Sequence, residues 1–153
     1  MSFYRLNSIL AFFFMAALIF SGSAFWLPEN ARAQDITPEI KSSTQNVIRD
    51  QIRAFQNGQH ERAFSHAAES IRQIFKNTDQ FINMVKGGYM PLYDPENYSF
   101  GRNLNVDGLV HQEVIATDQK GRQWQAVYTL KQNEDGSWKI TGVKMEPYQG
   151  AST

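Results

Sequence analysis

The spacing of apolar residues changes once along this chain, near Asn97, and that change limits the fold more than any single motif. Before it, apolar side chains recur at helical spacing; after it, they alternate. A helical half followed by a stranded half predicts an α+β domain with helices and sheet segregated along the chain.

In the first half, Thr37-Pro38-Glu39 reads as a helix start: Thr37 can cap, Pro38 suits the first helical position, and Glu39 complements the helix dipole. Ile40, Val47, Ile48, Ile52 and Phe55 then form one stripe with Arg49 and Arg53 opposite, and Asn57-Gly58 ends the helix. A second helix is expected from His60 to about Glu69, with Ala63, Phe64, Ala67 and Ala68 on one face. Ser70 to Lys76 fits either a helical continuation or a short buried strand. A third helix is capped by Asn77 or Thr78, with Gln80 completing a capping-box pattern, buries Phe81, Met84 and Val85, and ends at Gly87-Gly88. Tyr89 to Glu96 reads as an aromatic-rich connection.

In the second half, strands are expected over Tyr98–Leu104, Leu109–Thr117, Gln123–Lys131 and Ser137–Met145, separated by Asp107-Gly108, Lys120-Gly121 and Asp135-Gly136. Such short turns imply an antiparallel meander. Trp138 and Ile140 share one parity, Val143 and Met145 the other, and Gly142 sits at the change, which predicts a β-bulge and a bent sheet. The expected object is a strongly curved sheet with the N-terminal helices packed into its hollow.

A separate N-terminal segment precedes this domain. Arg5, the apolar run Ile9 to Phe20, the small stretch Ser21-Gly22-Ser23-Ala24 and the exit Ala31-Arg32-Ala33 have the order of a secretory signal peptide. Residues 1–33 are therefore expected to be a leader cut after Ala33; a cut after Ala24 and a retained anchor are the alternatives, since the apolar character approaches the ~20 residues of a bilayer span. Ser21 to Ser23 and Pro28 interrupt that span. Residues 34–153 form the expected single domain, of a length that suits one core. The location implied is exported, periplasmic or secreted, with no stable membrane insertion after cleavage. The chain has no cysteine, so neither disulfides nor a thioether-linked lipid can hold it.

The sequence has fifteen basic and fifteen acidic residues; without Arg5, Arg32 and Glu29 the count is thirteen against fourteen. A nucleic-acid partner is not expected from a balance without basic excess.

Val47-Ile48-x-x-Gln51-Ile52-x-Ala54-Phe55 with Ala63-Phe64, Phe81-x-x-Met84-Val85-x-x-Gly88-Tyr89, Trp124-x-Ala126-x-Tyr128-x-Leu130 and Asp135-Gly136-Ser137-Trp138-x-Ile140-x-Gly142 occur in this order. With these motifs the mature chain resembles the nuclear transport factor 2-like (cystatin-like) superfamily, and within it a family of small exported bacterial proteins known as a domain of unknown function. The resemblance implies a cone-shaped sheet around helices and an exported setting. It carries over no functional residue.

Enzymes on such a scaffold place a carboxylate or imidazole inside the cone. Here His111 and Glu113 share a parity opposite to Val110, Val114 and Ala116 and are expected to face solvent, although Gln112 and Ile115 blur the alternation. They have no third or fourth metal ligand at a supportive spacing. His60 and His66 read as surface histidines, and Asp79 and Asp94 as backbone-capping residues. No serine sits in a Gly-x-Ser-x-Gly elbow, Gly87-Gly88 lacks the rest of a phosphate loop, and Asn97-Tyr98-Ser99 is a chance-level glycosylation triplet. No catalytic residue, metal or cofactor is therefore assigned.

The aromatic load remains. Phe81, Tyr89, Tyr93, Trp124, Tyr128 and Trp138 are either core or the lining of an apolar pocket, with the Tyr89 and Tyr128 hydroxyls orienting a ligand. The reading that follows is an exported, non-enzymatic binding domain for a partner protein or a small apolar ligand. A small cone-pocket enzyme of isomerase, dehydratase or hydrolase type is the alternative, and a homodimer through Gln123, Gln125, Thr129 and Lys139 is a further possibility.

Overall fold

The computed structural model describes residues 33–34 and 36–149, the first two by their backbone alone. The leader expected over 1–33 lies outside these residues except for Ala33.

The helices come first in the chain, after a two-residue strand β1, Ala33–Gln34. Helix α1, Pro38–Gln56, starts where Thr37 accepts a hydrogen bond from the Ile40 amide at 3.3 Å, and ends at Asn57. Helix α2, His60–Ser65, and α3, Glu69–Ile74, are two short pieces rather than one longer helix. The break has a cause in the sheet. His66 to Ala68 runs beside the edge of the last strand: the Ile140 amide donates to the His66 carbonyl at 2.9 Å, and the Ala68 amide donates to the Ile140 carbonyl at 2.8 Å. This covers an edge that would otherwise leave backbone groups unpaired. Residues Glu69 to Ile74 thus resolve the open reading as helix, with Ile74 72% exposed and not buried.

Helix α4, Thr78–Gly88, is capped by Asn77, whose side chain accepts from the Gln80 amide at 3.0 Å. Gln80 completes the reciprocal bond one residue early, accepting from the Lys76 amide at 3.3 Å. A single-turn helix α5, Met90–Tyr93, begins with Pro91 near its start inside the stretch expected to be a connection.

The meander follows as β2 (Asn97–Val106), β3 (Leu109–Thr117), β4 (Gln123–Gln132) and β5 (Trp138–Pro147), antiparallel in sequence order with β1 beside β2. Asp107 and Gly108 both have positive φ, 51° and 79°, as a two-residue hairpin whose twist matches its strands requires. The bulge expected at Gly142 is present: Thr129 pairs with Gly142 but Leu130 with Ile140, leaving Thr141 extra. A second bulge lies in β2 between Phe100 and Asn103. There the Glu113 carboxylate occupies the space above Gly101, where any Cβ would lie 2.3 Å from Glu113 Oε2, and accepts from the Arg102 amide at 2.9 Å. Bulges in two strands bend the sheet around the helices.

Two apolar clusters result. Ile48 and Ile52 of α1 and Leu92 of α5 pack on Val114, Ala116, Ala126, Tyr128, Leu130 and Ile140 of the sheet. The second cluster is helical: Ala54, Phe55, Ala63, Phe64, Ala67, Phe81, Ile82 and Val85. Each fully buried aliphatic side chain contributes about 1.5–3 kcal/mol, so a domain without disulfides can hold together by packing. Among the described residues no helix is long and apolar enough to cross a membrane.

Candidate functional site

Register places one polar row across the inner face of the sheet: Asn103 of β2 pairs with Gln112 of β3, and Gln112 with Tyr128 of β4. Gln112 is fully buried. Its amide donates to the carbonyls of Gly101 (3.3 Å), Arg102 (3.1 Å) and Glu113 (2.8 Å), and its Oε1 accepts from Gln45 of α1 at 3.1 Å and from Asn103. One side chain thereby ties α1 to the β2 bulge. The row is only partly satisfied. Among the described residues the Tyr128 hydroxyl, Asn103 Oδ1 and Asn105 Oδ1 are buried without a protein partner. Burial, reinforced by the nearby Tyr98 hydroxyl, pushes the Tyr128 pKa well above that of free tyrosine, so this group stays a neutral donor or acceptor. Removing a buried hydroxyl that no protein group partners should cost little. Tyr128→Phe is accordingly expected to melt at or above the wild-type temperature, and a loss exceeding about 1 kcal/mol would reveal a partner.

A second constellation sits on the helical side. Asp50 of α1 receives Arg62 Nε on Oδ2 at 2.9 Å and Arg62 Nη2 on Oδ1 at 2.6 Å, while His66 Nε2 lies 2.6 Å from Oδ2. The Arg62 hydrogen bonds, helped by His66, hold the Asp50 carboxyl below the usual range despite its partial burial. Asn46, Val47, Arg49, Asp50, Arg53 and His66 line an open groove of about 420 Å³ here. Another open groove, about 530 Å³, runs from Gly58 to Arg62 and across to Thr78 and Asp79.

The β3–β4 turn carries the third. Asp118 is buried and accepts from the amides of Lys120 (2.9 Å) and Arg122 (3.0 Å), from Arg122 Nε (2.8 Å) and from Trp124 Nε1 (3.0 Å). Desolvation raises its pKa, but the Trp124 indole, Arg122 and the Lys120 amide together outweigh it and hold the carboxyl far below the usual range. Because the folded pKa lies below the unfolded one, this stabilisation is complete above the unfolded value, about 3.9, and is lost as pH falls toward the folded value. Asp118→Asn is expected to melt below wild type by a constant interval between about pH 5 and 8, with the interval shrinking below about pH 4. A gap that ignores pH in thermal melts would contradict this.

The family model for a domain of unknown function (DUF4864) matches residues 38–153. The chain belongs to this family. Among solved structures it resembles a nuclear transport factor 2-like protein of unknown function from Silicibacter pomeroyi DSS-3, with a TM-score of 0.52 at 16% identity over 74% of this chain and all of that one. At that identity the likeness shows the fold: an α+β cone of the nuclear transport factor 2-like type. No curated protein matches the sequence.

Within this family member the six aromatics do not converge. Phe81 lies in the helical cluster, 4.8 Å from Phe64 and 6.2 Å from Phe55 between ring centres, and Tyr93 closes it, 5.4 Å from Phe55 with its hydroxyl 3.0 Å from His60 Nε2. Tyr89 bridges both clusters and donates to the Val143 carbonyl at 3.2 Å. Tyr128 and Trp138 belong to the sheet cluster, and Trp124 to the Asp118 turn. None of the six lines either groove. Of the paired hydroxyls expected to orient a ligand, that of Tyr89 is therefore engaged by backbone and that of Tyr128 is not.

His111 and Glu113 do lie on the outer face, His111 Nδ1 3.1 Å from Thr129 Oγ1 and Glu113 held by Arg102 and Gln125. Sequence reasoning missed Gln112, Asn103 and Asn105 as a group. The signal for Gln112 was its parity, shared with Val110, Val114 and Ala116; for the asparagines the β2 bulge hid the register. It also missed Asp50, whose partners come from another helix.

Proposed function

We propose that the protein is an exported, non-enzymatic binding domain that takes a small, largely apolar ligand with one or two hydrogen-bonding groups on the inner face of its cone. The observation that carries this reading is the set of buried, unpartnered polar atoms, the Tyr128 hydroxyl, Asn103 Oδ1 and Asn105 Oδ1, beside the half-buried rings of Tyr98 and Phe100. Buried polar atoms are nearly always paired, so an unpaired set is where a ligand gains most from hydrogen bonding. The chemistry of that face supports binding over catalysis. Its polar groups are amides and hydroxyls, which do not exchange protons near neutral pH. An isomerase, dehydratase or hydrolase needs a base there, whereas Asp79 is exposed on α4, His66 is paired with Asp50, and His111 and Glu113 lie on the outer face. Export is supported by the leader-like order of residues 1–33.

Thermal-shift measurements over fatty acids, quinones, sterols and aromatic metabolites test the ligand, with Tyr128→Phe as the discriminating variant. A true ligand at about a hundred times its Kd adds about 2.7 kcal/mol to wild-type stability, and the variant responds less. Pull-down from an extract of the exported compartment tests a partner protein as the other occupant. Silence in both overturns the proposal. N-terminal sequencing of the natural protein is expected to begin at Gln34, and an intact Met1 on cytoplasmic material would remove the export part.

Self-association is a second reading with its own observation. Leu104, on the outer face opposite His111, is 53% exposed, and Leu109, Ile115 and Val127 on the same face are half-buried. Sedimentation as a monomer at high concentration would exclude it. The polar residues first considered for that surface are partly spent: Gln125 on Glu113, Thr129 on His111, and Lys139 Nζ on the Ser65 carbonyl at 2.8 Å.

A further inference from the structure

We propose that the groove on α1 is a binding site for an oxyanion, the carboxylate or phosphate of a small ligand, with Arg49 and Arg53 as its principal donors. The site lies on α1 and meets the inner face of the cone only where Arg49 stacks on the Phe100 ring, and it stands whether or not that face binds a ligand.

Asn46, Arg49, Asp50 and Arg53 sit at i, i+3, i+4 and i+7, on one face of α1, and with Val47 and His66 they line the 420 Å³ groove. Asp50, on the groove wall, is fully engaged from the α2 side: Arg62 grips both of its oxygens and His66 shares one. Asp50 is therefore a neutralised anchor that joins α2 to the groove wall and offers little repulsion to an incoming anion.

Arg49 and Arg53 are left over. Among the described residues neither forms an ion pair, and Arg53 has no hydrogen-bond partner from its side chain. Arg49 is oriented, with Nη1 bonded to Asn46 Oδ1 and the guanidinium 5.3 Å from the centre of the Phe100 ring. Two like charges one helical turn apart repel by about 0.2–0.5 kcal/mol. This concentration occurs in a chain whose formal net charge is zero. Guanidinium forks suit carboxylate and phosphate oxygens in particular, because paired N–H donors match paired oxygens. One fork is pre-set by Asn46 and Phe100, the other is free to close, and a bound anion would relieve the repulsion between them.

Titration of the full mature domain with inorganic phosphate and, separately, with acetate, each at ionic strength matched by chloride and followed by NMR shifts of arginine and histidine side chains, tests this. Saturable binding is expected in wild type. Arg49→Gln/Arg53→Gln should weaken it at least about tenfold, a loss of about 1.4 kcal/mol in binding. Lys131→Gln, on the outer sheet face, should leave it unchanged. A preference for phosphate marks a phosphate-bearing ligand and a preference for acetate marks a carboxylate, and either supports the site. The double variant should melt close to wild type, because neither guanidinium has a carboxylate partner to lose and the relieved repulsion offsets the lost contact of Arg49 with Phe100. Shifts that grow without saturating, or equal binding by the double variant, would overturn the proposal.

Discussion

Gln112→Ala is expected to lower the stability of the domain by about 3–5 kcal/mol. The truncation removes the acceptor shared by Gln45 and Asn103 and the donor that serves three carbonyls around the β2 bulge. Orphaned buried polar groups cost about 1–3 kcal/mol, and the space left by a fully buried side chain adds to that. Asn103, already lacking a partner on Oδ1, would then have its amide unpaired as well. Gln112→Leu keeps most of the volume while still breaking the hydrogen bonds, so its loss isolates the polar part. Urea denaturation should show a lower midpoint at an unchanged slope. If both variants lose under about 1 kcal/mol, the row is not what joins α1 to the bulge.

The second large effect is Phe81→Ala, expected to cost about 3–5 kcal/mol. Phe81 is 6% exposed and touches Phe55, Phe64 and Phe75, so one ring joins α1, α2 and α4 with the segment after α3. Edge-to-face and offset contacts add to the area it buries. The experiment also separates the two roles considered for the aromatic set. A core ring loses several kcal/mol on truncation, whereas a ring lining an open pocket loses little stability and affects ligand response instead. A small loss in urea, with a large change in thermal shift by ligands, would move Phe81 from the core to the site.

These two residues differ in how far they could be read from the chain. Phe81 lies in a helical stripe after an asparagine cap, and both the helix and its burial were legible from local spacing. Gln112 has the right parity for the core but the wrong polarity, and nothing local supplies the partners that make a buried amide tolerable. Its neighbours come from residues 45, 101, 102 and 103, brought together by two strand registers and one helix. The split of α2 from α3 has the same origin. Residues 60 to 69 carry helical spacing and 70 to 76 are compatible with it, yet the need of Ile140 for backbone partners pulls residues 66 to 68 out of the helix. Local preference there is weak enough for a sheet edge to override it.

Periodicity, caps and turn residues carried the α+β class, the strand order and the Gly142 bulge, because helical and strand spacing, N-caps and two-residue hairpins are set by interactions within a few residues. Whether an aromatic ring becomes core or lining, which polar atoms remain unpaired, and that Arg49 and Arg53 flank an aspartate already bound by Arg62 and His66 were decided by tertiary contacts alone. Burial and charge pairing depend on what the fold places opposite each side chain, and that partner is distant in sequence.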